Sequence, residues 1–330
     1  MKSKVIISAV IRSQIREMIR NLLNDIADVI SLLNWTSSEF LREAEDAEAL
    51  IPLHEDINEK LLSHAPRLKV VSRFGVGYDR VDVEACTRRG IYVTHTPNVL
   101  SRAVAELTFA LMLCLSRRII EADRYVRTEW AKAGRPTLPL RGDLAGKTLG
   151  IIGLGRIGME VARRAKAFEM RIVYYDKIRR RDMEEELGAE YLSLNDLLRV
   201  SDFVSIHVPL TPETTSLIGE EELKKMKKTA YLINTSRGRV IDEEALCRAL
   251  EEEWIAGAGL DVFSEEPLPL DSPLIKMENV VLTPHMATHT VETRSLMAST
   301  VAEDVRRVLI GKTPLNPVPE QRGMIFPRKI

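Results

Sequence analysis

The sequence predicts an α/β protein of two domains, each built on a parallel sheet, and three observations carry that expectation. Short apolar runs alternate with amphipathic stretches from end to end, which is the pattern of βα units. At 330 residues the chain is long for one core, and ~150 residues per domain gives two. In the second half a glycine-rich turn, Gly153-Leu154-Gly155-Arg156-Ile157-Gly158, stands between an apolar strand and a helix.

The first hundred residues predict strands at Lys4 to Val10, Val29 to Leu33, Ala49 to Leu53, Leu68 to Arg73 and Ile91 to Thr94, with helices between them. One long helix is expected from Leu100 to Val126, carrying an apolar stripe of Leu107, Ala110, Leu111, Cys114 and Leu115 suited to core or dimer contact. Gly134, Pro136, Pro139, Gly142 and Gly146 then mark a loop crossing. Six further strands follow, at Thr148 to Ile152, Arg171 to Tyr175, Phe203 to Val208, Ala230 to Asn234, Ala256 to Val262 and Val280 to Leu282, enough for a full dinucleotide-binding sheet. A last helix from Val291 to Ile310 stops at Gly311. The tail beyond, with Pro314, Pro317, Pro319 and Pro327, reads as an extended surface arm.

Composition narrows the function classes. Lys plus Arg (47) against Asp plus Glu (48) leaves a net charge of −1, so no basic field suits nucleic acid. Three scattered cysteines, Cys86, Cys114 and Cys247, without a CxxC pair, argue against a disulfide framework and fit a reducing, cytoplasmic setting. Val5 to Ile11 is too short for a secretory leader, and the apolar stretch Ala103 to Leu115 is short of the ~20 residues that span a bilayer. A small-molecule partner is expected.

The glycine turn follows the strand Leu149 to Ile152, opens a helix expected from Met159 to Phe168, and is followed by Asp176 at the end of the next strand. Glycines there permit a tight turn and close approach of a pyrophosphate, the helix N-terminus faces the phosphate charge, and an acid about twenty residues on bonds the ribose hydroxyls. Gly153, Gly155, Gly158 and Asp176 are therefore candidate cofactor residues. A carboxylate at 176 repels a 2′-phosphate, so NAD is favoured over NADP, against Lys177, Arg179, Arg180 and Arg181 nearby.

Four polar residues fall just past the carboxyl ends of successive predicted strands: Arg237, Asp261, Glu266 and His285. Ligands bind at that edge of an open α/β sheet. Reduction of a 2-oxo acid needs a cation for the carboxylate, a proton donor for the carbonyl oxygen and a bound nicotinamide. Arg237 offers a planar fork that Lys cannot reproduce. His285 offers an imidazole, a group suited to acid–base work near neutrality, and Glu266 a carboxylate to orient it. Each residue has a bland reading as a solvated charge or turn residue, but together, beside a dinucleotide motif, they form a catalytic set.

With these motifs in order, the sequence resembles the D-isomer-specific 2-hydroxyacid dehydrogenases over nearly its whole length. The resemblance rests on residues 73–79 (RFGVGYD), Asn98 to Glu106, the Gly153 turn, residues 207–214 (HVPLTPET), 234–238 (NTSRG), 260–267 (LDVFSEEP) and 283–285 (TPH). It implies two Rossmann-like or flavodoxin-like α/β domains. A central NAD-binding doubly wound parallel sheet (100–287) is inserted in a split substrate-binding domain (1–99 and 288–330), usually as a homodimer. It also implies Arg237, Glu266 and His285 as catalytic residues. Thr96, Thr108, Arg156, Ile157, His207, Val208, Pro209, Thr235 and Asp261 would lie near the cofactor, and Arg73, Gly75, Val76 and Gly77 near the substrate. The Met286-Ala287-Thr288-His289 step departs from the glycine-rich step of many members, and Val76 stands where phosphite-oxidising relatives carry a lysine.

For the substrate, Arg73 and the Phe263 to Pro267 turn lean the reading to 3-phosphoglycerate or a similar small hydroxy acid, with glyoxylate or hydroxypyruvate reduction as the alternative. A cofactor-sensing corepressor-like binding protein is the rival of another class. His285 and His289 have a spacing of four, as zinc ligands on a helix do, but no acid lies between them and Pro284 keeps His285 ahead of the helix, so no metal is expected. His54, His64 and His95 read as structural or surface residues.

Overall fold

The computed structural model of the chain describes residues 2–134, 140 and 142–326. The chain divides into two compact units, Met1–Leu100 with Thr288–Ile330, and Ser101–Ala287. Pro136 and Pro139 of the expected loop and Pro327 of the expected arm lie outside the described residues.

In the first unit, β1 (Ser3–Ser8), β2 (Ala27–Leu32), β3 (Ala47–Ile51), β4 (Val70–Ser72) and β5 (Tyr92–Thr94) form a parallel sheet in the order β2-β1-β3-β4-β5. Helices cover such a sheet on both faces, so its strands are continuous apolar runs; Val5, Ile6 and Ile7 of β1 and Leu50 and Ile51 of β3 are fully buried. The winding reverses beside β1, so the chain leaving β1, β3 and β4 emerges at one sheet edge. The helix Val291–Leu309 packs on this unit, with Thr290 accepting from the Thr293 amide at its start and left-handed Gly311 just past its end.

The tail is not a loose arm. Val318 is fully buried and its amide donates to Val93 O. The buried Gln321 side chain accepts from the Val93 amide and donates to Ile91 O and Thr87. Asp304 accepts from Asn316 Nδ2 and the amides of Leu315 and Asn316. Burial of those main-chain groups requires such partners, and the partners are remote in sequence.

The second unit carries β6 (Thr148–Ile152), β7 (Arg171–Tyr175), β8 (Glu190–Tyr191), β9 (Phe203–Ile206), β10 (Tyr231–Asn234), β11 (Gly257–Leu260) and β12 (Val280–Leu282). Their order is β12-β11-β10-β9-β6-β7-β8, all parallel, which is a doubly wound dinucleotide-type sheet with its switch point between β6 and β9. The edge strand β8 adds a seventh to the six expected. The expected single helix is two, Ser101–Arg117 and Ile119–Thr128, because Arg118 is left-handed (φ 53°) and pairs with Glu121. Of the expected apolar stripe, Leu111 and Leu115 are buried, Leu107 and Cys114 half-buried and Ala110 exposed; Ala105, Thr108, Phe109 and Met112 widen the buried face. No helix among the described residues is long and apolar enough to cross a membrane.

Candidate active site

In the second unit, the chain leaving the carboxyl ends of β6, β7, β9, β10, β11 and β12 carries Gly153, Asp176, His207, Thr235 with Arg237, Asp261 and His285 in turn. Parallel winding puts all of them at one edge, on both sides of the switch point.

Each glycine of the turn has its own reason. Gly153 sits at φ 94°, and a Cβ there would lie 2.8 Å from Val208 Cγ1 and 2.9 Å from the His207 carbonyl. A Cβ on Gly158 would lie 2.2 Å from Gly153 O; the helix runs Arg156–Ala167, so Gly158 is inside it and lets it press on the turn. A Cβ on Gly155, the N-cap, would meet nothing within 4 Å. Above Gly155 lies open space, not packing. The helix has no side-chain cap and no acid in its first turn, so its leading amides stay open to an anion. Arg156 is exposed there and Ile157 half-buried. These features fit a dinucleotide diphosphate.

Asp176 ties the turn to β7: its carboxylate accepts from the Leu154 amide at 2.7 Å and the Ile178 amide at 3.2 Å, with lone pairs left for ribose hydroxyls. Of the cations beside it, Arg179 is paired with Glu184 at 2.9 Å and Arg180 with Asp182 at 2.7 Å. Both are committed away from a 2′-phosphate.

His207 shares a 2.8 Å hydrogen bond between Nε2 and Ser205 Oγ, while its buried Nδ1 has no partner among the described residues. Burial pushes its pKa down to about 3, so this imidazole is neutral at ordinary pH. Val208 closes on Gly153, and the exposed Pro209 accepts from Thr214 Oγ1 through its carbonyl. Thr235 and Thr108 are buried with their hydroxyls 3.1 Å apart; Thr108 spends its proton on Val104 O, so Thr235 is the donor of the pair.

After β10 the fully buried Asn234 folds the next turn: its Nδ2 donates to Arg237 O, and its Oδ1 accepts from Ser236 N and Oγ. Arg237 Nη1 donates to Ser236 O, leaving the guanidinium half-buried. A Cβ on Gly238 would fall 1.9 Å from the Phe263 carbonyl carbon, so the Arg237 turn lies against the backbone of the Phe263–Glu266 loop.

In that loop Glu266 accepts from the Phe263 amide at 3.1 Å with one oxygen and from His285 Nδ1–H at 2.8 Å with the other. His285 takes a left-handed backbone (φ 48°), with its amide donating to Asp261 O at 2.8 Å. The Asp261 carboxylate accepts from Thr283 Oγ1 at 2.7 Å and from the Met286 and Ala287 amides at 2.8 and 3.0 Å. Burial pushes its carboxyl above the usual range against these three donors. Asp261 thus holds the loop that presents His285, a role the sequence did not reveal; nor did it show the part of Asn234. His285 and His289 both precede Val291 in irregular chain and do not share a helical turn.

In the first unit, the turn after β4 carries Arg73, Gly75, Val76 and Gly77. Arg73 is 8% exposed and its Nη1 donates to Phe74 O, folding the guanidinium back on its own turn. Gly75 N donates to Arg73 O and Gly75 O accepts from Thr96 N. Among the described residues the amides of Val76 and Gly77 have no protein acceptor, so the turn presents donors. Thr96 is fully buried and its hydroxyl has no partner among the described residues.

A doubly wound sheet with an open glycine turn and a carboxylate–imidazole pair at its edge defines a dinucleotide-dependent oxidoreductase domain. Residues 109–287 match the family model of the D-isomer specific 2-hydroxyacid dehydrogenase NAD binding domain. The chain is 53% identical over 289 residues to a glyoxylate reductase from Korarchaeum cryptofilum, covering 87% of each. Among solved structures it resembles an NADPH-dependent glyoxylate/hydroxypyruvate reductase from Sinorhizobium meliloti in complex with NADP and malonate (31% identity, TM-score 0.88, 100% of each chain). It also resembles a D-lactate dehydrogenase from Aquifex aeolicus complexed with NAD and lactic acid (33% identity, TM-score 0.86, 95% of this chain and 98% of that one). The chain belongs to the D-isomer specific 2-hydroxyacid dehydrogenase family, an oxidoreductase whose second unit is an NAD-binding domain. The expected lean to 3-phosphoglycerate finds no support among these relatives; glyoxylate reduction, the alternative, fits them better.

Proposed function

We propose that the chain is a glyoxylate reductase that uses NADH and accepts close analogues such as hydroxypyruvate. The observation that carries this reading is the Glu266–His285 pair at 2.8 Å, fixed by Asp261 at the ligand edge of an NAD-binding sheet. Gly153, Gly155, the amides opening the Arg156–Ala167 helix, Asp176 and the Thr108–Thr235 pair would hold the cofactor. Bound there, the reduced nicotinamide supplies the hydride.

The protein's own groups do the rest. Arg237 binds the substrate carboxylate through its fork. Because Nδ1 of His285 is engaged by Glu266, the proton passes from Nε2 to the carbonyl oxygen as it gains charge, and Glu266 stabilises the imidazolium before that transfer. His207, held neutral by burial, is a poor donor and serves instead as a wall. In the first unit the donor face of Val76 and Gly77 suits a carboxylate. Arg73, folded into its own turn, is not posed as a phosphate ligand, which favours an unphosphorylated substrate.

The paired Arg179 and Arg180 support NAD over NADP. Three scattered cysteines with no disulfide among the described residues fit work in a reducing compartment such as the cytoplasm. Exposed Ile119, Ile120, Val126 and Trp130 support a homodimer. A steady-state panel tests the substrate: kcat/KM for glyoxylate should exceed that for phosphohydroxypyruvate by at least ~10-fold. The reverse order would overturn it.

A further inference from the structure

The turn assigned to the substrate is held from both sides by residues outside it. On one side, the His95 ring lies 2.9 Å from Val76 O through Nδ1; a carbonyl only accepts, so Nδ1 carries the proton and donates. His95 is itself 5% exposed, its ring packs edge-on to Tyr78 at 5.5 Å, and its amide donates to Asn316 O in the C-terminal tail. On the other side, Tyr78 Oη donates to Glu320 Oε1 and Oε2 at 3.1 and 3.2 Å. The tail segment that supplies Asn316 and Glu320 is pinned to β5 by Val318 and Gln321. A single stretch of chain, some 240 residues away in sequence, therefore braces both flanks of the turn.

The consequence is directional. With Arg73 O, Phe74 O, Gly75 O and Val76 O each engaged, the peptide planes of the turn are fixed with their carbonyls inward to protein donors. The amides of Val76 and Gly77 are then left as the unsatisfied donors. Releasing Val76 O would let that peptide plane rotate and turn a carbonyl where a donor is needed, and a carboxylate is repelled by a carbonyl oxygen. We propose that His95 and Tyr78, backed by the tail at Asn316 and Glu320, are positioning residues that set substrate affinity by fixing the orientation of the 73–77 turn. The inference rests on the reading that this turn receives the substrate carboxylate.

The test compares His95→Leu, His95→Asn, Tyr78→Phe and Gly75→Ala in the full chain with glyoxylate and NADH. Leu keeps volume and removes the donor, Asn restores a donor near the Nδ1 position, and Phe removes only the hydroxyl. Loss of one hydrogen bond should raise KM for glyoxylate about threefold to tenfold in His95→Leu and about threefold in Tyr78→Phe. In both, kcat and the NADH Kd should stay within about twofold, and His95→Asn should recover most of the loss. A Cβ on Gly75 would sit 2.9 Å from Arg73 Nη1, the donor that holds Phe74 O, so Gly75→Ala displaces that guanidinium from the turn and should also raise KM. If Gly75→Ala raises KM while Tyr78→Phe and a folded His95→Leu do not, the bracing role is wrong and the turn assignment stands. If Gly75→Ala leaves KM unchanged, the turn assignment fails and the inference with it. If KM rises while kcat and NADH affinity fall with it and His95→Asn rescues none of them, His95 is merely structural.

Discussion

His207 and His285 emerge from two strands of one sheet, yet their surroundings give them opposite chemistry. His285 meets a carboxylate at Nδ1, whereas the Nδ1 of His207 has no hydrogen-bond partner among the described residues and its ring is desolvated. The unfolded chain takes up a proton at His207 below the ordinary value of 6.5, but the folded chain does not until about pH 3. Stability contributed by keeping that ring neutral is therefore intact above about pH 6.5 and is lost as pH falls through this window. His207→Gln should flatten the acid limb: the drop in unfolding free energy between pH 7 and pH 4.5 should be smaller than in the parent, as read by urea titration. An equal drop would show that His207 titrates normally. That Arg237, Glu266 and His285 follow the carboxyl ends of strands was legible in the sequence because strand ends are legible. Their supports were not, since Asp261 reaches Thr283, Met286 and Ala287 across more than twenty residues.

At the scale of elements, parallel strands announce themselves: β6, β7 and β12 read from the short apolar runs 149–152, 172–175 and 280–282, with the bounds they have in the fold. The edge strand β8, two exposed residues, has no such signal. The break at Arg118 carries neither glycine nor proline, and only the left-handed backbone betrays it. Within the glycine turn, packing and binding can be separated by substitution. Gly155→Ala meets open space at φ −76°, so thermal stability should be unchanged while the NADH Kd rises at least ~10-fold. Gly158→Ala, whose Cβ meets Gly153 O, should lose both, with ~1–3 kcal/mol of stability. Fluorescence titration and calorimetry on the two variants check this; an unaltered NADH Kd in Gly155→Ala would remove the diphosphate from that turn.

For the whole molecule, two α/β units follow from alternating apolar and amphipathic segments, but the pinned tail does not. Its prolines suggested an arm, and the hydrogen bonds of Gln321 and Asp304 that hold it are invisible in local pattern. The helix Ile119–Thr128 has no buried residue of its own, and Ile120 is 61% exposed, which a partner copy would cover. Sedimentation equilibrium should report twice the 37.3 kDa protomer, and a mass of one protomer would contradict dimerisation. The reading as an acid–base dehydrogenase is tested most directly by stopped-flow oxidation of NADH with saturating glyoxylate, comparing the parent with His285→Asn. The parent should turn over repeatedly and His285→Asn should be slower by ~10²- to 10⁴-fold at unchanged NADH Kd. Equal rates, or tight NADH binding without any turnover in the parent, would contradict it.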